Sequence, residues 1–374
     1  MKRQLLQVVI GVLAAAALCG ALLLASEALW PTARTVVAAD ATRGLDHIVV
    51  HFDPPAAPLV RTTYSEIFAA LPHSKVTVVV ASEADFQTFL ETFAPAEGER
   101  GRFEPVLTGR PITTWSRDRY TLALEGEQRV LLVPAQRPSL VDRRANDWLV
   151  PFRLAEAEGI EVGTQNFDFD GGDLIVGPDV VFADTNLMRK NPDRFRTPAA
   201  VRHQLEVMLG RPVVVLGEQP EDVPHHHIGM YLTPLPNGAV AVGSPTLAAD
   251  LLGAQGLEAM AARLASADMP KIDLTPETVE RFDGPARQLE AAGFRVVRLP
   301  LVPLDDQVTF ITYNNGVTHH DADGLHFLMP AYSVEALDAR ATAILEAEGL
   351  KVHPIDVRTV FQQHGSVRCL VNVL

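Results

Sequence analysis

Apolar residues in this chain fall into short runs separated by longer amphipathic stretches, and the order of these runs is its most informative feature. From about Tyr120 one order repeats: two short strands, a helix, then a further strand. The first unit predicts strands at Tyr120–Leu124 and Arg129–Val133, a helix near Phe152–Glu158 and a strand at Ile160–Val162. The second has Leu174–Val176, Val180–Ala183, a helix at Ala199–Leu209 and Pro212–Leu216. The third has Ile228–Thr233, Ala239–Val242, helical pattern between Leu247 and Ala292, and Phe294–Leu299. The fourth has Val308–Tyr313, Leu325–Met329, a helix at Val334–Glu348 and Lys351–Pro354.

A last strand, Arg368–Val373, has no successor. The beginning of the pattern supplies what it lacks: a strand at His47–Phe52, a helix at Tyr64–Ala70 and a strand at Lys75–Val80. Joining the two ends makes a fifth ββαβ unit. The units share pattern and not sequence. Two architectures fit: an ordinary open α/β sheet, or five units closing a ring with pseudo-fivefold symmetry and no free edge at the chain ends.

Ahead of these units, Lys2 and Arg3 precede an apolar run over residues 5–25. A basic end, an apolar stretch and small residues describe an export signal, and the run is also long enough to span a bilayer as a retained anchor. Ala25-Ser26-Glu27-Ala28 and Val37-Ala38-Ala39 both offer small-residue cleavage patterns. Residues 1–39 are therefore expected to be a signal peptide or signal anchor, and 40–374 a single catalytic domain. The chain would be exported, periplasmic or extracellular, with membrane contact only through its N-terminal segment.

Composition narrows the chemistry. With 374 residues, 47% hydrophobic and 21% charged, there is ample material for a core. A net charge of −14 argues against a nucleic-acid backbone as partner. Two cysteines, Cys19 and Cys369, exclude a disulfide scaffold or a cysteine-rich zinc site. With the leader removed, Cys369 is the only thiol, either buried and inert or kept for its reactivity.

Chemistry-bearing residues recur just before or at the first strand of successive units: Trp115-Ser116-Arg117-Asp118, Asp170-Gly171-Gly172-Asp173, His225-His226-His227, Asp305-Asp306 and Gly365-Ser366-Val367-Arg368-Cys369. In a ring, equivalent positions converge on the axis. A thiolate can attack an electrophilic carbon, a histidine can shuttle protons, and carboxylates can orient the histidine or hold a planar cation. The glycine pair would let backbone approach a ligand closely. His319-His320-Asp321-Ala322-Asp323-Gly324 invites a metal reading but fits a polar turn between strands better.

These motifs, with Arg189-Lys190-Asn191-Pro192, His227-Ile228-x-Met230 and Gly365-x-x-Arg368-Cys369-x-x-Asn372, resemble the guanidino-group-modifying, or pentein, superfamily. That family of α/β propellers includes agmatine, arginine and peptidylarginine deiminases and the amidinotransferases. The resemblance implies a five-bladed propeller with Cys369 as nucleophile and His227 as general acid/base. It implies that Asp170 partners His227, Asp118 grips a guanidinium, Asp173 meets the far end of the substrate and Trp115 walls the pocket. The substrate would be a small cationic guanidino compound or peptidyl arginine, the intermediate a thiouronium, with no metal and no cofactor.

One position departs from that pattern. The family reads His-x-Asp, and here the third residue is Gly229. Losing one partner of a buried charge pair costs roughly 2–5 kcal/mol in binding. Asp305 or Asp306 is the expected replacement. The alternatives are a catalytically weakened guanidine- or amine-binding protein on the same fold, and an amidinotransferase.

Overall fold

Five small sheets, each built on the same order, carry the chain. The computed structural model describes residues 35–36, 40, 44–94, 97–137 and 139–374. The apolar run 5–25 and both cleavage patterns lie outside the described residues. Among the described residues, no helix is long and apolar enough to cross a membrane.

The first sheet pairs Thr121–Glu125 antiparallel with Gln128–Val133. The chain then crosses through helix Val150–Glu158 and returns as Glu161–Thr164, parallel to the second strand. Strand Thr35–Val36 adds to its outer edge. The second sheet repeats the path with Ile175–Val176, Val181–Asp184, helix Pro198–Leu209 and Val213–Leu216. That helix shows why the sequence stops and starts where it does. Thr197 accepts the Ala200 N–H, Pro198 opens the first turn, and Gly210 takes the left-handed conformation (φ 62°) that ends it.

The third sheet has Leu232–Pro234, Val240–Ser244 and, after helices Pro245–Ser266 and Pro276–Ala291, Val296–Pro303. Its last strand is longer than expected and also pairs with Phe310–Thr312. That segment was expected to open the fourth unit. The fourth sheet instead begins with Val317–Asp321, which pairs with Gly324–Ala331 and, through helix Glu335–Ala347, with Lys351–Asp356. The polar stretch His319–Asp321 is thus strand and not turn.

The fifth sheet joins the ends: Asn372–Val373 lies antiparallel to His47–His51, which runs parallel to Lys75–Val80 through helix Ala57–Ala70. A further helix, Glu83–Phe93, leads to strand Phe103–Leu107, an addition the pattern did not announce. The parallel pairs are the ones spanned by helices, as a parallel connection requires. Buried Val, Leu, Ile and Phe side chains on both the sheets and the helices form the core between them.

Candidate active site

The nucleophile candidate does not sit on the expected strand. Residues Val367–Leu370 form one helical turn, and only Asn372–Val373 is extended. Cys369 is 6% exposed on that turn, and its Sγ lies 3.4 Å from Asn315 Oδ1. The turn is tied to the Trp115–Asp118 segment by the Arg117 N–H to the Cys369 carbonyl, 3.4 Å, and by Asn372 Nδ2 to the Ser116 and Tyr120 carbonyls. Trp115 packs against Gly365, where a Cβ would overlap the indole ring. Trp115 therefore props the start of the turn that carries Cys369.

The same segment reaches the next motif: the Gly171 N–H donates to the Asp118 carbonyl at 3.2 Å. Asp170 caps the single turn Gly171–Asp173, and its own N–H donates to Asp173 Oδ2 at 2.7 Å. The glycines were expected to let backbone approach a ligand. Gly172 instead faces the ring of His227, which a Cβ would overlap, so its missing side chain is what seats the histidine. His227 Nε2 lies 3.3 Å from Asp170 Oδ2. Burial opposes charge on this imidazole. Its hydrogen bonds to Asp170 and Cys369, and the Asp173 and Asp118 carboxylates, outweigh burial and raise its pKa to about 10. His227 is therefore an imidazolium at neutral pH. His226, half-buried beside it, has its pKa pushed well below the usual histidine value by desolvation and by the His227 charge.

The carboxylates are less free than the sequence suggested. Asp170 meets Lys190 Nζ at 2.8 Å, Arg137 Nη2 at 3.0 Å and Arg119 Nη1 at 3.5 Å. Lys190 also meets Asp173 at 2.5 Å, and Arg144 meets Asp118 at 2.5 Å. Burial pushes the Asp170 carboxyl up, but Lys190, His227 and Arg137 together hold it well below the ordinary range. A cavity of about 240 Å³ opens over Asp170, Asp173, Lys190 and His227. Asp118, Asp170 and His227 bring three donor atoms within 4.8 Å of one another, the closest such set among the described residues. Both its carboxylates already hold a Lys or Arg, which a metal ion would have to displace. The His319 cluster is no better suited: its Nδ1 accepts the Leu45 N–H at 2.9 Å, so the neutral ring keeps its proton on the Nε2 that faces Asp321.

Asp305 and Asp306 do not join this group. Asp305 is exposed and accepts the Lys271 N–H at 3.0 Å, while Asp306 caps Val308 and Thr309 and lies 3.8 Å from His364. Among the described residues neither is hydrogen-bonded or ion-paired to Asp118, Asp170, His227 or Cys369, although Asp306 neighbours His364, whose charge acts on His226. Asp305→Ala/Asp306→Ala is accordingly expected to leave substrate turnover within about twofold of wild type while costing about 1 kcal/mol of stability through the lost caps. Parallel kinetics and urea melts check both.

Gly229 has its own occupant. A Cβ there would stand 3.3 Å from both Arg368 Nη1 and Asn315 Nδ2. The Arg368 charge is taken by Asp40, whose Oδ1 lies 3.0 Å from Arg368 Nε and 3.7 Å from Arg117 Nη2. Burial raises the Asp40 carboxyl, yet Arg368 and Arg117 prevail and lower it. Asp40 escaped sequence reasoning, since it stands in no motif that points to this corner. A Gly229→Asp carboxylate would pair with Arg368 and not stand free, so the variant is expected to fold and to change guanidine turnover less than fivefold. A larger gain in kcat/KM would show that residue 229 reaches the substrate.

No family model and no curated protein matches the chain. Solved structures do. The agmatine deiminase of Campylobacter jejuni aligns over 91% of this chain and 95% of its own at 17% identity, with a TM-score of 0.64. A Cys-to-Ser variant of that enzyme with substrate bound gives 15% identity over the same shares and a TM-score of 0.66. The agmatine deiminase of Enterococcus faecalis gives 15% identity, 91% and 95% coverage and a TM-score of 0.65. This chain thus has the mixed α/β fold of the agmatine deiminases, as the pentein resemblance of its motifs implied.

Proposed function

We propose that the chain is a cysteine-dependent hydrolase of guanidino compounds, built as a five-bladed propeller around the Cys369–His227–Asp170 site. The observation that carries this reading is the juxtaposition of a buried thiol with an imidazolium that is itself held by a buried aspartate. In this scheme the Cys369 thiolate attacks the guanidino carbon and a C–S bond forms. His227 gives its proton to the departing nitrogen, the C–N bond breaks, and ammonia or an amine leaves. Water, losing a proton to His227, then attacks the thiouronium carbon, the C–S bond breaks, and a ureido product is released. Asp118 and Asp173 bind substrate, and Trp115 holds the nucleophile turn. The leader places the protein outside the cytoplasm.

Arg144 shapes what the site accepts. It occupies Asp118, the carboxylate a guanidinium would need, and is 30% exposed, so it can swing aside. Arg144→Ala is expected to lower KM for a guanidino substrate about three- to tenfold with little change in kcat, since an ion pair no longer has to be broken on binding. Gly229 and this pair favour a second reading, a guanidine-binding protein with little turnover. Ammonia and ureido-product detection across agmatine, arginine, methylated arginine and an arginyl peptide, with Cys369→Ala as control, separates the two. Binding without product supports the second reading, and neither binding nor product defeats both.

A further inference from the structure

Arg119 connects Asp170 to another cavity, about 80 Å³ in volume, lined by Arg119, Gln136, Arg137, Leu140, Ala145 and Trp148. Arg119 is 2% exposed, among the most deeply buried cations of the molecule. Its one ion pair among the described residues, at 3.5 Å, is to Asp170, which also serves Lys190, Arg137 and His227. Arg119 Nε and Nη2 and the Trp148 indole Nε1 are buried with no hydrogen-bond partner among the described residues. Arg137, on the same wall, spends its Nε and Nη2 on Asp168 and Asp170.

All three orphaned groups are donors that can never accept. A water could accept from them but would bring two protons, and the Gln136 amide oxygen is the one side-chain acceptor on a wall otherwise made of two guanidinium groups, Leu140, Ala145 and the indole ring. An anion has the opposite balance. It accepts from all three donors, asks for no acceptor, and meets a guanidinium across an apolar wall where the attraction is weakly screened. We infer that this cavity is a binding site for a small monovalent anion, a halide or a formate-sized carboxylate, held by Arg119 Nε and Nη2 and the Trp148 indole N–H. The size of the cavity sets the limit: the volume admits such an anion with at most a water beside it and excludes a phosphorylated metabolite or a peptide.

The test uses the full chain, with sodium bromide and sodium formate as probes and sodium sulfate at equal ionic strength as control. Calorimetric titration is expected to show saturable bromide and formate binding that sulfate does not reproduce. A bromide-soaked crystal is expected to show an anomalous peak between Arg119 and Trp148. Arg119→Lys should weaken binding at least tenfold, and Trp148→Phe, which removes one neutral donor and keeps the ring, roughly fivefold. Should Arg119→Lys fail to fold, Trp148→Phe decides alone. Water without bromide in the cavity, or halide affinity unchanged in Trp148→Phe, would overturn the assignment.

Discussion

Cys369→Ala is expected to lower turnover of a guanidino substrate by about four orders of magnitude or more, with the fold and substrate binding retained. The size follows from what is removed. Without sulfur no C–S bond forms, and water must attack a resonance-stabilised guanidinium directly. The fold should survive because the thiol's hydrogen-bond partners among the described residues are the Asn315 and His227 side chains, whereas the turn is anchored by backbone and by Asn372. Far-UV circular dichroism and substrate-trapping calorimetry on the variant check retention, and a stopped ammonia assay checks the loss. Full activity in Cys369→Ala would end the covalent scheme. If that residual activity also vanished with a chelator, the Asp118–Asp170–His227 trio would become a metal centre.

Asp170→Asn is the second large effect, and stability shows it first. This carboxylate is buried and faces Lys190, Arg137, Arg119 and His227 together. Removing its charge strands several buried cations, and breaking such a pair costs about 3–5 kcal/mol. For a chain of this size that corresponds to a fall in Tm of roughly 4–7 °C. The pH dependence follows from the two partners. The Asp170 pKa is lowered in the fold, so its contribution is present above the ordinary carboxylate range and is lost as pH falls through the folded value. The His227 pKa is raised to about 10, so its contribution is full below its unfolded value and is lost as pH rises through about 10. Wild-type stability should therefore decline at both extremes, and Asp170→Asn should lose much of both limbs. Thermal melts from pH 3 to 11 measure this. A variant as stable as wild type at neutral pH would show that the cations are satisfied elsewhere.

The strand–strand–helix–strand order was legible because buried strands and helices each keep their own apolar period, and those periods survive without sequence similarity. It failed where a strand is polar. Val317–Asp321 carries His319, His320 and Asp321 on a partly exposed edge, so it looked like a turn, and Phe310–Thr312 was given its place. Phe103–Leu107 was missed for a similar reason, with Glu104 and Pro105 interrupting its apolar run. In the site, Cys369, His227, Asp170 and Asp118 were legible because their chemistry is rare and their order is informative. The cations that hold them were not. Lys190 stood inside a quoted motif, but nothing in a linear pattern says which carboxylate it will reach, and Arg119, Arg137 and Arg144 arrive from segments chosen by packing.

The pairing of Asn372–Val373 with Ile48–Val49 has a consequence for how the protein is made. A ribosome releases residue 49 long before residue 372, so the first strand of that sheet must wait, with one edge unpaired, for a partner made hundreds of residues later. The turn carrying Cys369 adjoins that late partner and can be set only when it docks. Assembly of the thiol beside His227 therefore waits for synthesis of the turn Val367–Leu370 and the strand after it, and a chain stalled before residue 369 holds His227 without the thiol. Closing so long a loop also places this pairing among the slow steps of folding. Appearance of thiol reactivity toward a guanidine-mimicking alkylator during refolding should lag behind the recovery of helical signal.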